Sequence, residues 1–299
     1  MLSEKEKVRY TRQFLLNGWG EEEQEKIKNL TVFVAGAGGT GSPTIAMLAL
    51  MGVGRIRICD FDVFEETNQN RQFLHNVCEG RVGMNKAASA ALTVKNMNPN
   101  VIVDVLDEKL DTHNVDELVG DADMIFDCFD RFQYKFVLAD CAQRKNIPMF
   151  FYGIMDYNTF GYIFYPPKTA CFHCMFDEKK IRIIERMQSS KSDVAVMAPT
   201  LFEAAGLMLP EAVKMMIGYD EPNYNVFFAS LAKRHDFCNQ RGTRAFRFWM
   251  SKYFDRISTE QGLDWKNSDE VPMFKMIEIG ANPECPHCAE LRKKDQENE

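Results

Sequence analysis

The chain has 299 residues, of which 45% are hydrophobic and 26% charged, a globular balance that fits one large α/β domain or two small ones. Its net charge of −7 argues against a broad nucleic-acid interface, which requires a basic face. No apolar run approaches the ~20 residues of a membrane span, and the charged start, Met1-Leu2-Ser3-Glu4-Lys5-Glu6-Lys7, has no apolar signal core.

Residues 1–29 are polar with a helical pattern. Thr31 to Ala35 reads as a buried strand that runs into Gly36-Ala37-Gly38-Gly39-Thr40-Gly41, with a helix over 41–52. A second strand, Gly54 to Cys59, ends in Asp60-Phe61-Asp62. A strong helix over 83–97 stops at Asn98-Pro99, and Val101 to Leu106 comes next as a strand with alternating apolar residues. Met124 to Asp127 is a short buried strand, succeeded by a helix through Lys145 and a strand from Pro148 to Tyr152. Such alternation predicts an α/β fold with a Rossmann-type, mostly parallel sheet and helices on both faces.

Beyond 153 the period changes. Phe160 to Tyr165 reads as an antiparallel-type strand that ends at Pro166-Pro167. Residues 177–194 read as a mobile loop or short helix, and Met197 to Ile217 as a long apolar helix interrupted at Pro210. The charged stretch 290–299 has little prospect of order. The expected organisation is a single domain over 1–299, with N-terminal helices (1–29), a nucleotide-binding part (30–153) and a substrate-binding and zinc part (154–299).

The glycines Gly36, Gly38, Gly39 and Gly41 permit a tight turn and close approach of backbone to phosphate, at a helix N-terminus that favours anions. Asp60 falls where a ribose hydroxyl would lie, and Asp62 can share that role or help hold a metal. Taken singly, these are a Gly-rich connection and two solvated acids. The segment Asn68-Gln69-Asn70-Arg71-Gln72 separates two uses of the nucleotide. Hydride transfer has no need of a guanidinium and amides clustered there; cleavage of a triphosphate does.

Of nine cysteines, four form two pairs, Cys171-Phe172-His173-Cys174 and Cys285-Pro286-His287-Cys288. Without an export signal they indicate a reduced, cytoplasmic protein with a metal site. Cys171, Cys174, Cys285 and Cys288 can wrap one Zn²⁺ tetrahedrally and staple the C-terminus onto the body. Four protein ligands leave no open position, so the zinc is structural. His173 and His287 read as spacers.

Asp60-Phe61-Asp62, Asn68, Arg71-Gln72 and Lys86 together resemble the ThiF/MoeB/HesA family, the bacterial relatives of ubiquitin-activating enzymes. Arg9-Tyr10-Thr11-Arg12-Gln13, Asp127-Cys128-Phe129-Asp130, Met197-Ala198-Pro199 and the two cysteine pairs extend the likeness over nearly the whole chain, MoeB-type members being most similar. The resemblance implies ATP-dependent adenylation of the C-terminal glycine carboxylate of a small ubiquitin-fold carrier ending in Gly-Gly. In the family, Arg71 contacts the phosphates and Lys86 reaches them from the next helix. Asp130 matches the acid that holds Mg²⁺, and Asn68 lies beside the nucleotide. Arg12 matches an arginine that enters the neighbouring subunit's site, which implies a homodimer. A sulfurtransferase is a possible further partner; nucleic acid and membrane are not expected.

A carboxylate is already ionised at neutral pH. The reaction therefore requires charge neutralisation and alignment rather than a general base. Arg131 stands where the family usually has Asn. Some relatives carry an acceptor cysteine before the stretch matching Val196 to Pro199; here Arg186 to Val194 has none, which favours an enzyme that stops at the adenylate. Cys128 and Cys238 remain as candidates for transfer chemistry. The stretch 228–271 is longer than in the MoeB pattern and reads as an extra helix or a docking surface. The alternatives are a NAD-dependent oxidoreductase, a non-catalytic scaffold subunit, and a peptide-modifying adenylating enzyme of natural-product synthesis.

Overall fold

A computed structural model describes residues 1–77, 79–155, 158–165, 168–175, 196–219, 226–230, 274–277 and 281–298. The crossover segment 177–194, Cys238 and most of 228–271 lie outside the described residues.

Among the described residues one eight-stranded sheet organises the fold, in the order β3-β2-β1-β4-β5-β6-β7-β8. The parallel part is β3 (Ile102–Leu106), β2 (Arg55–Cys59), β1 (Thr31–Ala35), β4 (Met124–Asp127) and β5 (Met149–Met155). Antiparallel β6 (Asn158–Phe164), β7 (Val226–Ser230) and β8 (Phe274–Ile277) extend it. Strand side chains alternate between faces. Val32, Val34, Ile56, Ile58, Phe126 and Phe150 therefore enter one buried cluster. Phe33, Ala35, Ile125, Phe151, Tyr162 and Phe164 enter another. Both faces are covered, as the alternating strands and helices predict.

The first cluster is closed by α2 (Glu21–Asn29), α3 (Gly41–Met51), α4 (Lys86–Met97) and α8 (Ala198–Ile217). The second is closed by α5 (Val115–Val119), α6 (Phe132–Lys145) and the short α7 (Phe172–Met175). A further short helix, α1 (Glu4–Tyr10), precedes them, capped reciprocally by Ser3 and Glu6. Among the described residues no helix is long and apolar enough to cross a membrane.

Three expectations need correction. Helix α8 runs unbroken through Pro210. Pro210 and Gly206, one turn earlier, both face solvent, so water can serve the carbonyl deprived of its donor and nothing crowds the ring. The charged C-terminal stretch forms α9 (Ala289–Asn298). It grows directly from the second cysteine turn: the amides of Ala289 and Arg292 donate to the carbonyls of Cys285 and Cys288 at 3.0 and 3.3 Å. Helix α4 starts at Lys86, not 83, because Asn85 caps it by accepting from the Ala88 amide at 2.9 Å.

In β1, Ala35 is paired with Cys59 of β2 on one side and Asp127 of β4 on the other. The residues immediately after each strand, Gly36, Asp60 and Cys128, therefore emerge side by side at the carboxyl edge. The order 3-2-1-4-5 reverses between β1 and β4, and ligands of open α/β sheets bind at such a crevice.

Candidate functional site

The turn after β1 is fixed by backbone and by one carboxylate. Gly36 has φ +99°, and a Cβ there would stand 3.0 Å from the Cys128 carbonyl. At Gly41 a Cβ would stand inside contact distance of the Gly36 carbonyl, so helix α3 begins flush against the turn. Asp60 is buried and accepts from the amides of Ala37 at 2.7 Å and Asp62 at 2.9 Å. Burial pushes its carboxyl above the usual range, while Lys86 and these amides oppose the shift.

Lys86 opens α4, nearly buried, with Nζ 3.1 Å from Oδ2 of the half-exposed Asp62. Asn85 supports this arrangement by donating to the Asp60 carbonyl at 2.8 Å and to Asp107 Oδ1 at 2.8 Å. The Asp60–Asp62 corner and the start of α4 are thereby tied together.

The segment with Asn68 to Gln72 begins as a single 3-10 turn, Glu66–Asn68. Asn68 is buried, and its Oδ1 accepts from the Glu65 amide at 3.1 Å. Gln72 is buried against Gly38, with its Nε2 3.6 Å from the position of a Cβ on that glycine. Arg71 turns back on its own segment, donating to the Thr67 carbonyl at 2.8 Å and Asn70 Oδ1 at 2.9 Å. Gly39 abuts Leu201 of α8.

The structure thus brings together the glycine turn, Asp60, Asp62, Lys86 and Gln72. Arg71 borders this group through Gln72, with its guanidinium engaged elsewhere. Asp130 is exposed just beyond β4, next to the exposed Arg131. Arg12 is exposed after α1, and its guanidinium has no hydrogen bond or ion pair among the described residues.

Two buried polar contacts escape a reading of motifs. His75 is fully buried, with Nε2 donating to the Ala37 carbonyl at 2.7 Å. Burial lowers its pKa to about 4, so it is neutral with the proton on Nε2. Lys135 lies on the buried face of α6, with Nζ 3.0 Å from Asp127 Oδ2 and 2.5 Å from the Phe129 carbonyl. The only signals for these were a His four residues after Arg71, and a Lys among Tyr134, Leu138 and Ala139 at helical spacing.

Gln72 Oε1, on the side chain that lies against Gly38, is buried without a hydrogen-bond partner, as is Ser42 Oγ in the first turn of α3. This chemistry fits a nucleotide. Cys128 is unsuited to act as a nucleophile, because burial beside Asp127 pushes its thiol far above the usual range.

The second cluster lies beside α7. Cys171 Sγ is 3.7 Å from Cys174 Sγ and 3.5 Å from Cys285 Sγ, and Cys174 Sγ is 3.7 Å from Cys288 Sγ. A tetrahedral zinc with Zn–S of ~2.3 Å separates its sulfurs by ~3.8 Å. The four thiols fit that ion and are too far apart for disulfides.

Residues 10–245 match the ThiF family model. The SAMP-activating enzyme E1 of Haloferax volcanii is 35% identical over 170 residues, covering 57% of this chain and 62% of that protein. This chain therefore aligns with less than two thirds of the archaeal relative. The sulfur carrier protein ThiS adenylyltransferase of Bacillus subtilis is 30% identical over 253 residues, covering 80% and 73%. In three dimensions the chain is similar to Escherichia coli MccB solved with ATP, at a TM-score of 0.71 and 24% identity, covering 94% of this chain and 74% of that one. The chain belongs to the ThiF family, the ThiF/MoeB group of adenylyltransferases related to ubiquitin-activating enzymes.

Proposed function

We propose that the chain uses ATP to adenylate the C-terminal glycine carboxylate of a small ubiquitin-fold carrier ending in Gly-Gly, releasing pyrophosphate. The observation that carries this reading is the assembly of Asp60, the Ala37 amide, Lys86 and Gln72 around the turn after β1. A dehydrogenase needs the turn and Asp60; it has no use for Lys86 opening the next helix against Asp62.

Gly36, Gly38, Gly39 and Gly41 line the phosphate-binding turn, and Asp60 holds the ribose. Asn68 and Gln72 flank the nucleotide. Arg71, released from Thr67 and Asn70, and Lys86, shared with Asp62, neutralise charge that develops on the phosphates. Asp130, with Asp62 near it in function, supplies carboxylates for Mg²⁺, which when bound screens the phosphates from the incoming carboxylate. That nucleophile is already ionised, so the chain must align it rather than deprotonate it. Arg12 serves the site of a second copy in a homodimer. Zn²⁺ on Cys171, Cys174, Cys285 and Cys288 holds the fold together. The carrier's acyl-adenylate then passes to an external sulfur donor, such as a sulfurtransferase.

The test is Mg²⁺-dependent exchange of pyrophosphate into ATP with candidate carriers ending in Gly-Gly. Exchange should vanish when the terminal glycine is removed. Removing Arg71 or Lys86 should lower its rate by ~10²–10³. Exchange supported only by short peptides would replace the carrier with a peptide substrate. Binding of NAD without any exchange would overturn the reading.

A further inference from the structure

We propose that Asp140, His173 and His287 form a second metal site beside the four-thiol cluster, for a divalent first-row ion of borderline softness such as Zn²⁺. One ligand atom from each residue lies within 4.8 Å of the others. His173 Nε2 is 2.7 Å from Asp140 Oδ1. The imidazoles of His173 and His287 stack with centroids 3.6 Å apart and planes 8° from parallel.

The placement arises from the cysteine turns. Each histidine is the third residue of a Cys-x-x-Cys turn, and both turns close in the same way: the Cys174 amide donates to Cys171 and the Cys288 amide to Cys285. Convergence of the four sulfurs therefore carries both histidines to one side, where α6 presents Asp140. Phe136 backs His173 at 5.4 Å, and the Gln143 side-chain amide donates to the His287 carbonyl. A hydrogen bond between imidazole and carboxylate accounts for Asp140 and His173. It makes no use of the exposed His287, which lies flat on that imidazole.

Two imidazoles and one carboxylate are a ligand set for zinc and its neighbours, and three protein ligands leave a position open. The nearly parallel rings do not share a plane, so one ion cannot lie along both in-plane lone pairs at once. The exposed His287 has to rotate about its Cβ–Cγ bond, and the ion then takes the place of the proton between His173 and Asp140. The site is separate from the four thiols, which together would fill the coordination of one zinc.

Full-length protein is dialysed to equilibrium against buffered free Zn²⁺, and bound zinc per chain is counted for wild type, His287→Ala and Asp140→Asn. Both residues are solvent-accessible, so neither variant removes core packing. Each variant should bind one equivalent fewer than wild type. With Co²⁺ as probe, thiolate-to-metal absorption, which reports only the cysteines, should be unchanged in both. Equal zinc counts in wild type and His287→Ala would overturn the proposal. So would a lost equivalent accompanied by loss of the thiolate absorption, because that ion belonged to the cysteines.

Discussion

Asp127 and Lys135 form an ion pair almost wholly out of water, with 0% and 3% of their side chains exposed and Nζ 3.0 Å from Oδ2. The pair ties a knot at the end of β4. Asp127 Oδ1 also accepts from the Phe129 amide at 3.2 Å, while Lys135 donates to the Phe129 carbonyl. The turn leading to Asp130 is thus held from inside, by a helix residue that does not reach the surface.

Removing one member leaves a buried charge unpaired. Lys135→Met should destabilise the fold by about 3–5 kcal/mol, read from urea unfolding. Burial already pushes the Asp127 carboxyl upward, and losing the ammonium pushes it further. The double variant Asp127→Asn, Lys135→Met should recover a large part of the loss. A single variant as stable as wild type would show that the pair does not hold the turn.

His75 ties stability to pH. Protonation would place a second N–H on Nδ1, which is buried without a partner. Burial brings the folded pKa down to about 4, against an unfolded value near 6.5. Between these values the unfolded chain binds the proton and the folded chain does not, so stability is full above pH 6.5 and declines as pH falls toward 4. The decline should be on the order of 3 kcal/mol. His75→Gln should flatten this part of the stability curve while other acid-sensitive pairs continue to act at lower pH, such as Glu6 with Lys28, whose Nζ is 2.9 Å from the carboxylate. An unchanged slope in the variant would remove His75 as the cause.

The parallel half of the sheet was legible because each strand is a short apolar run ended by a polar or glycine turn, from Thr31 to Ala35 and from Met124 to Asp127. The cysteine pairs were legible because thiols at that spacing have few other uses. The features that escaped depend on tertiary context. Pro210 breaks a helix only if its missing hydrogen bond is costly, and on the solvent face it is not. Lys135 looks like any surface lysine until α6 is docked and turns it inward. His75 gains its role from the Ala37 carbonyl, 38 residues away in the chain. The order of 290–298 comes from the cysteine turn that nucleates α9, and local composition carries no trace of it.

Loss of one of the four cysteines proposed to hold zinc should therefore unfold more than the cluster itself. Cys285→Ser removes a sulfur that is buried in the same cluster as Phe172 and Phe151. Metal-binding energy in such sites is folding energy. The variant should release its zinc at chelator concentrations that leave wild type loaded, and melt well below it. Helix α9 should lose protection against hydrogen exchange first, since it starts at the cysteine turn. Equal melting temperatures with and without the metal would reduce the cluster to a passive binding site.

The exposed Arg12 allows the proposed dimer to be tested by mixing two inactive proteins. If Arg12 serves the site of the neighbouring copy, Arg12→Ala inactivates the partner's site and Arg71→Ala inactivates its own. A mixed dimer carries both defects at one site and neither at the other. Free exchange of subunits at equal concentration makes half of all dimers mixed, each with one intact site of two, so activity should recover to about one quarter of wild type. Recovery should need time for subunits to exchange and should be absent if the two variants are kept on separate supports. If both residues instead act within one chain, every chain in the mixture is defective and exchange of pyrophosphate into ATP stays at background. That result would confine Arg12 to its own chain.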